Sequence, residues 1–205
     1  LRWLIDPLDG TNNFAHGLPV FCVSIALRDA GGPLLGVIYD PLRDELFSAA
    51  RGRGATLNGQ PCRVSEAPDL LHGMLATGFP YERHSSIDNN SVAVALFLRR
   101  AQGIRRMGSA ALDLAYVACG RFDGYWEWGV SPWDIAAGTL LVQEAGGTLT
   151  GYAGRPLDET QAERLNVVAS NGRIHGQMLD ALAEIYDFGE NGEFKLKGAY
   201  QLPFA

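Results

Sequence analysis

Two aspartates three positions apart, Asp6 and Asp9, close the apolar run Leu4-Ile5 in the segment LIDPLDGTNNF (Leu4 to Phe14). Carboxylates this near one another at the end of an apolar strand cannot both lose water unless something cationic pairs them. Pro7 fixes φ between them, and Gly10 lets the backbone come close to a ligand. Such oxygen donors suit hard divalent cations. The amides of Gly10 and Thr11, at the start of a helix, suit a phosphate oxygen. The same residues also read as plain structure: Asp-Pro opens a turn, Asp-Gly closes one, and Asp9 is a candidate N-cap for a helix starting near Thr11.

A second candidate stretch is GVSPWDIAAG (Gly129 to Gly138). Ser131, Pro132 and Asp134 fit a capping box with Asp in place of Glu. A cap does not explain Trp133 beside an acid. Nor does it explain Ala136, Ala137 and Gly138, whose small size lets a helix start pack tightly. Spacing leaves Asp134 open as cap or ligand, and does not show that it meets Asp6 and Asp9. Glu127, in Tyr-Trp-Glu-Trp, reads by itself as an exposed strand residue. His16, His72, His84 and His175 are scattered and read as surface or packing residues, although the polar loop around His84 could approach a substrate. Arg105-Arg106 could attract an anion, but a solvated pair is the favoured reading.

These residues need a scaffold, and the first half of the chain supplies strands. Phe21–Arg28 reads as a strand buried on both faces or nearly so. Leu35–Tyr39 and Glu45–Ala49 follow, then an Asn58-Gly59 hairpin joins Ala55–Leu57 to Cys62–Val64. This is an antiparallel meander. Leu75–Gly78 is a further short strand. The second half alternates: helix over Ser91–Gln102, helix over Ala110–Cys119 ended by Gly120, strand over Phe122–Trp128, helix over Pro132–Glu144, strand over Asn166–Ala169, helix over Gly172–Ile185. Strands in a block, then helices alternating with strands, imply an α+β fold in layers. Residues 1–185 read as one domain and 186–205 as a tail without clear period.

Composition narrows the class. The 205 residues carry a net charge of -6 with no long basic run, so no nucleic-acid footprint is visible. No apolar stretch reaches the roughly 20 residues of a membrane span, and no signal peptide is recognisable. Cys22, Cys62 and Cys119 form no CxxC pair. Cys22 and Cys119 sit in apolar runs and read as core residues in a reducing cytoplasm. The chain starts with Leu, three residues before its first motif, and reads as cut at its N-terminus.

DPLDGTNNF and the run from Trp133 to Gly147 (WDIAAGTLLVQEAGG) together resemble the two signature motifs of the inositol monophosphatase family. Gly108-Ser-Ala-Ala111 and the helix after it are similar too, so the resemblance runs in order from about Trp3 to Ile185. It implies the layered αβαβα sandwich of the sugar phosphatases, usually as a homodimer. It also implies Mg²⁺-dependent, lithium-sensitive hydrolysis of a small polyol or sugar phosphate, with two or three Mg²⁺ ions, by in-line attack of a metal-activated water. Asp6, Asp9 and Asp134 match the magnesium-binding aspartates, and Leu8 matches a backbone carbonyl ligand. Gly10 and Thr11 match the phosphate cradle, with the Thr11 hydroxyl orienting the attacking water. Gly108, Ser109 and Ala110 match a substrate-lining segment, and Glu127 an acid that binds substrate hydroxyls. That acid favours inositol monophosphate. Histidinol phosphate, fructose 1,6-bisphosphate and 3'-phosphoadenosine nucleotides are alternatives, and bisphosphates rank lower because no basic cluster is visible. A degenerate, non-catalytic phosphatase acting as a binding partner is the alternative of another class.

Family members also carry, before the first motif, a Glu-Glu metal site and an aspartate that pairs with the threonine matched by Thr11. Neither occurs here, and Glu45 and Glu66, which follow the first motif, cannot replace them. The chain by itself is therefore expected to be weakly active or inactive, with an apolar face open to solvent. Circular dichroism and phosphate release on the expressed chain check this, and turnover at the level of a complete enzyme contradicts it.

Overall fold

The first strand already shows how the chain is layered: β1 (Arg2–Asp9) buries Leu4 but leaves Trp3 and Ile5 more than half exposed. The computed structural model describes residues 1–80, 84, 88–157, 164–189 and 194–200. β1 pairs antiparallel with β2 (Cys22–Asp29), and the meander continues through β3 (Gly32–Asp40), β4 (Glu45–Ala50), β5 (Ala55–Leu57) and β6 (Gln60–Cys62). The predicted hairpin is present, with Asn58 and Gly59 both at positive φ, as a type I′ turn requires. β2 corrects the expectation of a strand buried on both faces: it alternates strictly, with Cys22, Ser24, Ala26 and Arg28 buried and their neighbours only half-buried. Period-2 burial is what a sheet packed on one side gives.

The second sheet has the order β10-β11-β9-β7-β8, from β7 (Met74–Thr77), β8 (Gly103–Arg105), β9 (Gly124–Val130), β10 (Thr148–Thr150) and β11 (Leu165–Ser170). β7 runs parallel to β8 and β9, and the other pairs are antiparallel. β8 and β10 escape sequence reading because three residues show no period. β8 also corrects the helix expected to run to Gln102: α2 spans only Ser91–Leu98. α1 (Thr11–Ala15) is one short turn beside β1.

Two helices fill the space between the sheets. α3 (Ala110–Ala118) and α4 (Pro132–Glu144) pack on each other and on both sheets. α4 is buried without interruption from Ile135 to Val142, the pattern of a helix enclosed on all sides. The small residues allow this. The Ala137 backbone lies against Gly36 of β3, and Gly138 lies against Leu114 of α3. α2 and α5 (His175–Ile185) cover the far face of the second sheet around Phe97, Trp126, Met178 and Leu182. After α5, β12 (Tyr186–Phe188) and β13 (Phe194–Leu196) form an antiparallel pair. Its Tyr186 and Phe194 stack with Tyr152, so the expected aperiodic tail begins as packed structure.

The layers are therefore sheet, helices, sheet, helices: four of the five in the αβαβα sandwich. No helix among the described residues covers the outer face of the six-stranded sheet, where Trp3, Ile5, Leu35 and Leu46 are exposed. Among the described residues no helix is long and apolar enough to cross a membrane. A Cβ added at Gly138 would lie 2.5 Å from that of Leu114. Gly138→Ala is expected to destabilise the chain by about 1–3 kcal/mol through overpacking. The measurement is the urea midpoint at unchanged m-value, and an unshifted midpoint would show that Leu114 yields freely.

Candidate active site

The register of β1 on β2 slips between Asp6 and Asp9. This irregularity follows from Pro7, which has no N–H to give to the ladder. The Leu8 amide folds back onto Asp6 Oδ1 at 3.0 Å, so the turn expected from Asp-Pro is present. At the strand end the expectation for Asp9 is corrected. The residue capping α1 is Gly10, at φ 89°, with no side-chain bond. A Cβ at Gly10 would meet the Val20 carbonyl at 2.8 Å, so chain conformation and space both require glycine. Asp9 instead reaches across the molecule. Its Oδ2 accepts from the Ser109 hydroxyl at 2.6 Å and from the Ala111 amide at 2.8 Å, both in the first turn of α3. Asn13, buried on α1, reinforces the junction by donating to the carbonyls of Val20 and Met107.

This junction and the N-terminus of α4 open onto one polar cleft of about 340 Å³. Asp6, Leu8, Asp9, Gly10, Thr11, Gly108, Ser109, Ala110, Glu127 and Asp134, the residues that the resemblance matches to a metal, phosphate or substrate role, line it. Glu45 and Glu66 are elsewhere, in ion pairs with Arg121 and Arg173. At Asp134 the capping reading is correct: its Oδ2 accepts from the Ser131 amide at 2.7 Å. It nevertheless faces the cleft, so capping and lining are not exclusive. Glu127 is half-buried rather than exposed, and its Oε2 accepts from the Tyr125 hydroxyl at 2.6 Å. The Thr11 hydroxyl donates to the Leu8 carbonyl at 2.9 Å.

The carboxylates are short of counter-charge. Burial raises Asp134 from its usual 3.8 to about 7; the bond from Ser131 opposes this, and the charges of Asp9 and Asp6 add to it. Burial likewise raises Glu127 to about 7, with Tyr125 opposing and Asp9 adding. Asp9 rises to about 6 by burial, although Ser109 and Ala111 pull it down. Hard oxygen donors crowded together with raised pKa values are a set that a divalent cation would relieve. Asp6, Asp9, Asp134 and the Leu8 carbonyl are the groups that could hold one. Among the described residues no three His, Cys, Asp or Glu side chains close on a metal-sized point. A cation here would complete its shell with water and phosphate oxygens, as Mg²⁺ commonly does.

The other candidates separate cleanly. His72 is exposed beside Asp69, and His175 is buried between Thr150 and Ser170 with its pKa lowered by burial. His16 and His84 are exposed, and most of the loop around His84 lies outside the described residues. Burial raises the thiols of Cys22, Cys62 and Cys119, the wrong direction for nucleophiles. Cys119 is only half-buried, at the end of α3, rather than in the core. The solvated-pair reading of Arg105-Arg106 holds, since both are exposed, but Arg106 also lines the cleft, with its guanidinium 5.8 Å from the centroid of Phe79. Gly78, Phe79, Pro80 and Arg164 also line it and carried no sequence signal.

Comparison with known proteins gives the same outline. The sequence model of the inositol monophosphatase family matches residues 1–187. The chain is 51% identical over 181 residues to an inositol-1-monophosphatase of Synechocystis, covering 88% of this chain and 62% of that protein. It is 49% identical over 179 residues to the protein named Nus factor SuhB of Escherichia coli K12, covering 87% and 66%. The solved inositol monophosphatase of Anabaena superposes with a TM-score of 0.85 at 52% identity, covering 89% of this chain and 71% of that one. The chain spans a little under two thirds of the length of these curated relatives.

Asp113 is the one acid in α3 and was not singled out from the sequence. It is fully buried, its Oδ1 has no hydrogen-bond partner, and burial raises its pKa well above the usual value, with Glu127 and Asp9 adding to the shift. A group whose folded pKa is raised withdraws stability as pH climbs from its unfolded value, about 3.9. Asn cannot ionise and escapes that loss. Asp113→Asn should therefore gain stability relative to the parent as pH rises from 4 to 8. Urea unfolding at the two pH values measures it, and a pH-independent difference would mean that Asp113 ionises normally.

Proposed function

The chain belongs to the inositol monophosphatase family, and we propose that it forms the metal- and phosphate-binding part of a Mg²⁺-dependent phosphatase acting on a polyol or sugar monophosphate, inositol monophosphate first. The observation that supports this best is the meeting of Asp6 and Asp9 with Asp134, from widely separated parts of the sequence, in one cleft. Family membership makes a small phosphate monoester the substrate class.

Divalent metal, when bound, would offset the phosphate's charge and acidify an attacking water. The chain's own groups do the rest. Ser109 and Ala111 hold one oxygen of Asp9, and Ser131 holds one of Asp134, so both carboxylates arrive already oriented. The amides of Gly10 and Thr11 offer donors to a phosphate oxygen. The Thr11 hydroxyl, anchored on the Leu8 carbonyl, stands at the same edge to orient water. Glu127 accepts hydroxyls of the alcohol part, and Arg106 moderates the negative field around it. No side chain is needed as a nucleophile. Lithium inhibition and a homodimer belong to the same proposal.

A second reading, a binding or regulatory partner without catalysis, is favoured by the name Nus factor borne by the Escherichia coli relative. Phosphate release from a substrate panel separates the two. The panel comprises inositol 1-phosphate, histidinol phosphate, fructose 1,6-bisphosphate and 3'-phosphoadenosine 5'-phosphate. In the intact protein, Mg²⁺-dependent turnover with inositol 1-phosphate preferred is expected. Asp134→Asn keeps an oxygen for the Ser131 cap but removes the charge. Losing several kcal/mol of metal-borne stabilisation, it should lower kcat/KM on the order of 10³-fold. Unchanged turnover refutes the metal assignment.

A further inference from the structure

Glu127 is held in an unusual way, and the cause lies at the end of the neighbouring strand, β7. A Cβ built on Gly78 would fall 2.1 Å from Glu127 Oε2 and 2.2 Å from both Cδ and Oε1. The Glu127 carboxylate thus occupies the space in which any other residue at position 78 would carry its side chain. Gly78 in turn is fixed by Asn90, which is completely buried and sits at φ 70°, a backbone state that Asn tolerates better than most residues. Asn90 Nδ2 donates to the Gly78 carbonyl at 2.6 Å and to the Thr77 hydroxyl at 2.9 Å. Its Oδ1 accepts from the Trp126 indole at 2.9 Å, and the Thr77 hydroxyl donates to the Trp126 carbonyl at 2.6 Å. This closed network clamps the end of β7 to β9 one residue before Glu127. Tyr125, also fully buried, holds Oε2 from β9 itself.

A buried amide could serve merely to satisfy the Trp126 N–H. That role would not need the Gly78 carbonyl, nor place it against the carboxylate. We propose that Gly78 and Asn90 are positioning residues for Glu127: Asn90 locks the Gly78 backbone so that the bare Cα of Gly78 and the Tyr125 hydroxyl together set the carboxylate that selects substrates bearing hydroxyls. The inference rests on Glu127 being the hydroxyl-binding acid. It adds that substrate choice depends on residues outside both signature motifs.

The test uses the intact protein with Mg²⁺ and two substrates, inositol 1-phosphate and p-nitrophenyl phosphate, an aryl phosphate with no ring hydroxyl. Glu127→Gln probes the premise and Gly78→Ala the close approach. Asn90→Gly probes the clamp, because glycine takes the left-handed backbone without strain and removes only the side-chain bonds. Each variant is expected to raise KM for inositol 1-phosphate about tenfold, the scale of one hydrogen bond to a charged group. The readout is selectivity: in each variant the ratio of kcat/KM for inositol 1-phosphate to that for the aryl phosphate should fall about tenfold. A general loss of packing would instead depress both substrates alike. If Glu127→Gln leaves the preference intact, or the parent turns over neither compound, the premise fails and the inference with it. If Glu127→Gln lowers the preference but Gly78→Ala and Asn90→Gly do not, the function stands and the positioning role is wrong.

Discussion

The carboxylate of Asp9, bonded to the Ser109 hydroxyl and the Ala111 amide, joins the two halves of the molecule. Asp9 ends the first strand of one sheet, and the groups it binds begin a helix that packs against the other. An ionised acceptor bonded to helix-start amides is among the stronger polar contacts available to a fold. It places α3, α3 places α4 through the contact of Leu114 with Gly138, and α4 carries Asp134 to the cleft. The site is thus a consequence of how the central helix layer is seated.

That seating leaves several acids close together in a partly dry cleft. Left to themselves, Asp9, Glu127 and Asp134 resist ionisation because each is buried, and the charge of Asp9 adds to the burden on Glu127 and Asp134. Stability alone would favour replacing them, since buried charge is seldom a net gain. Each acid lends one oxygen to the scaffold: to the start of α3, to the cap of α4, or to a tyrosine hydroxyl. Structure and chemistry share the same side chains, and for that reason the cap reading of Asp134 was correct without excluding a site.

The meander was legible because its short apolar runs are separated by Asn-Gly and Asp-Pro turn signals, whereas the alternating burial of β2 was not. α4 was legible to the residue because Pro132 and Gly146 mark both ends and the apolar run between them is continuous. The cleft residues within the two motifs were legible through resemblance, but their meeting was not, since spacing carries no information across the sheets. Three-residue strands such as β8 and β10 lack a period to read. Gly78, Asn90, Tyr125 and Asp113 gave no signal because their importance lies in what faces them: a missing Cβ matters only once Glu127 occupies the space. The apolar outer face of the six-stranded sheet was expected and is present, at Trp3 and Ile5 above all.

The central claim is that acids from two distant segments, the end of β1 and the β9–α4 region, form one cation-and-phosphate site. Anomalous diffraction from crystals of the intact protein grown with Mn²⁺ and inorganic phosphate tests it most directly. The account predicts a manganese peak in contact with Asp9 and Asp134, and a phosphate on the amides of Gly10 and Thr11. Manganese bound only elsewhere, or a phosphate seated away from these amides, would contradict it.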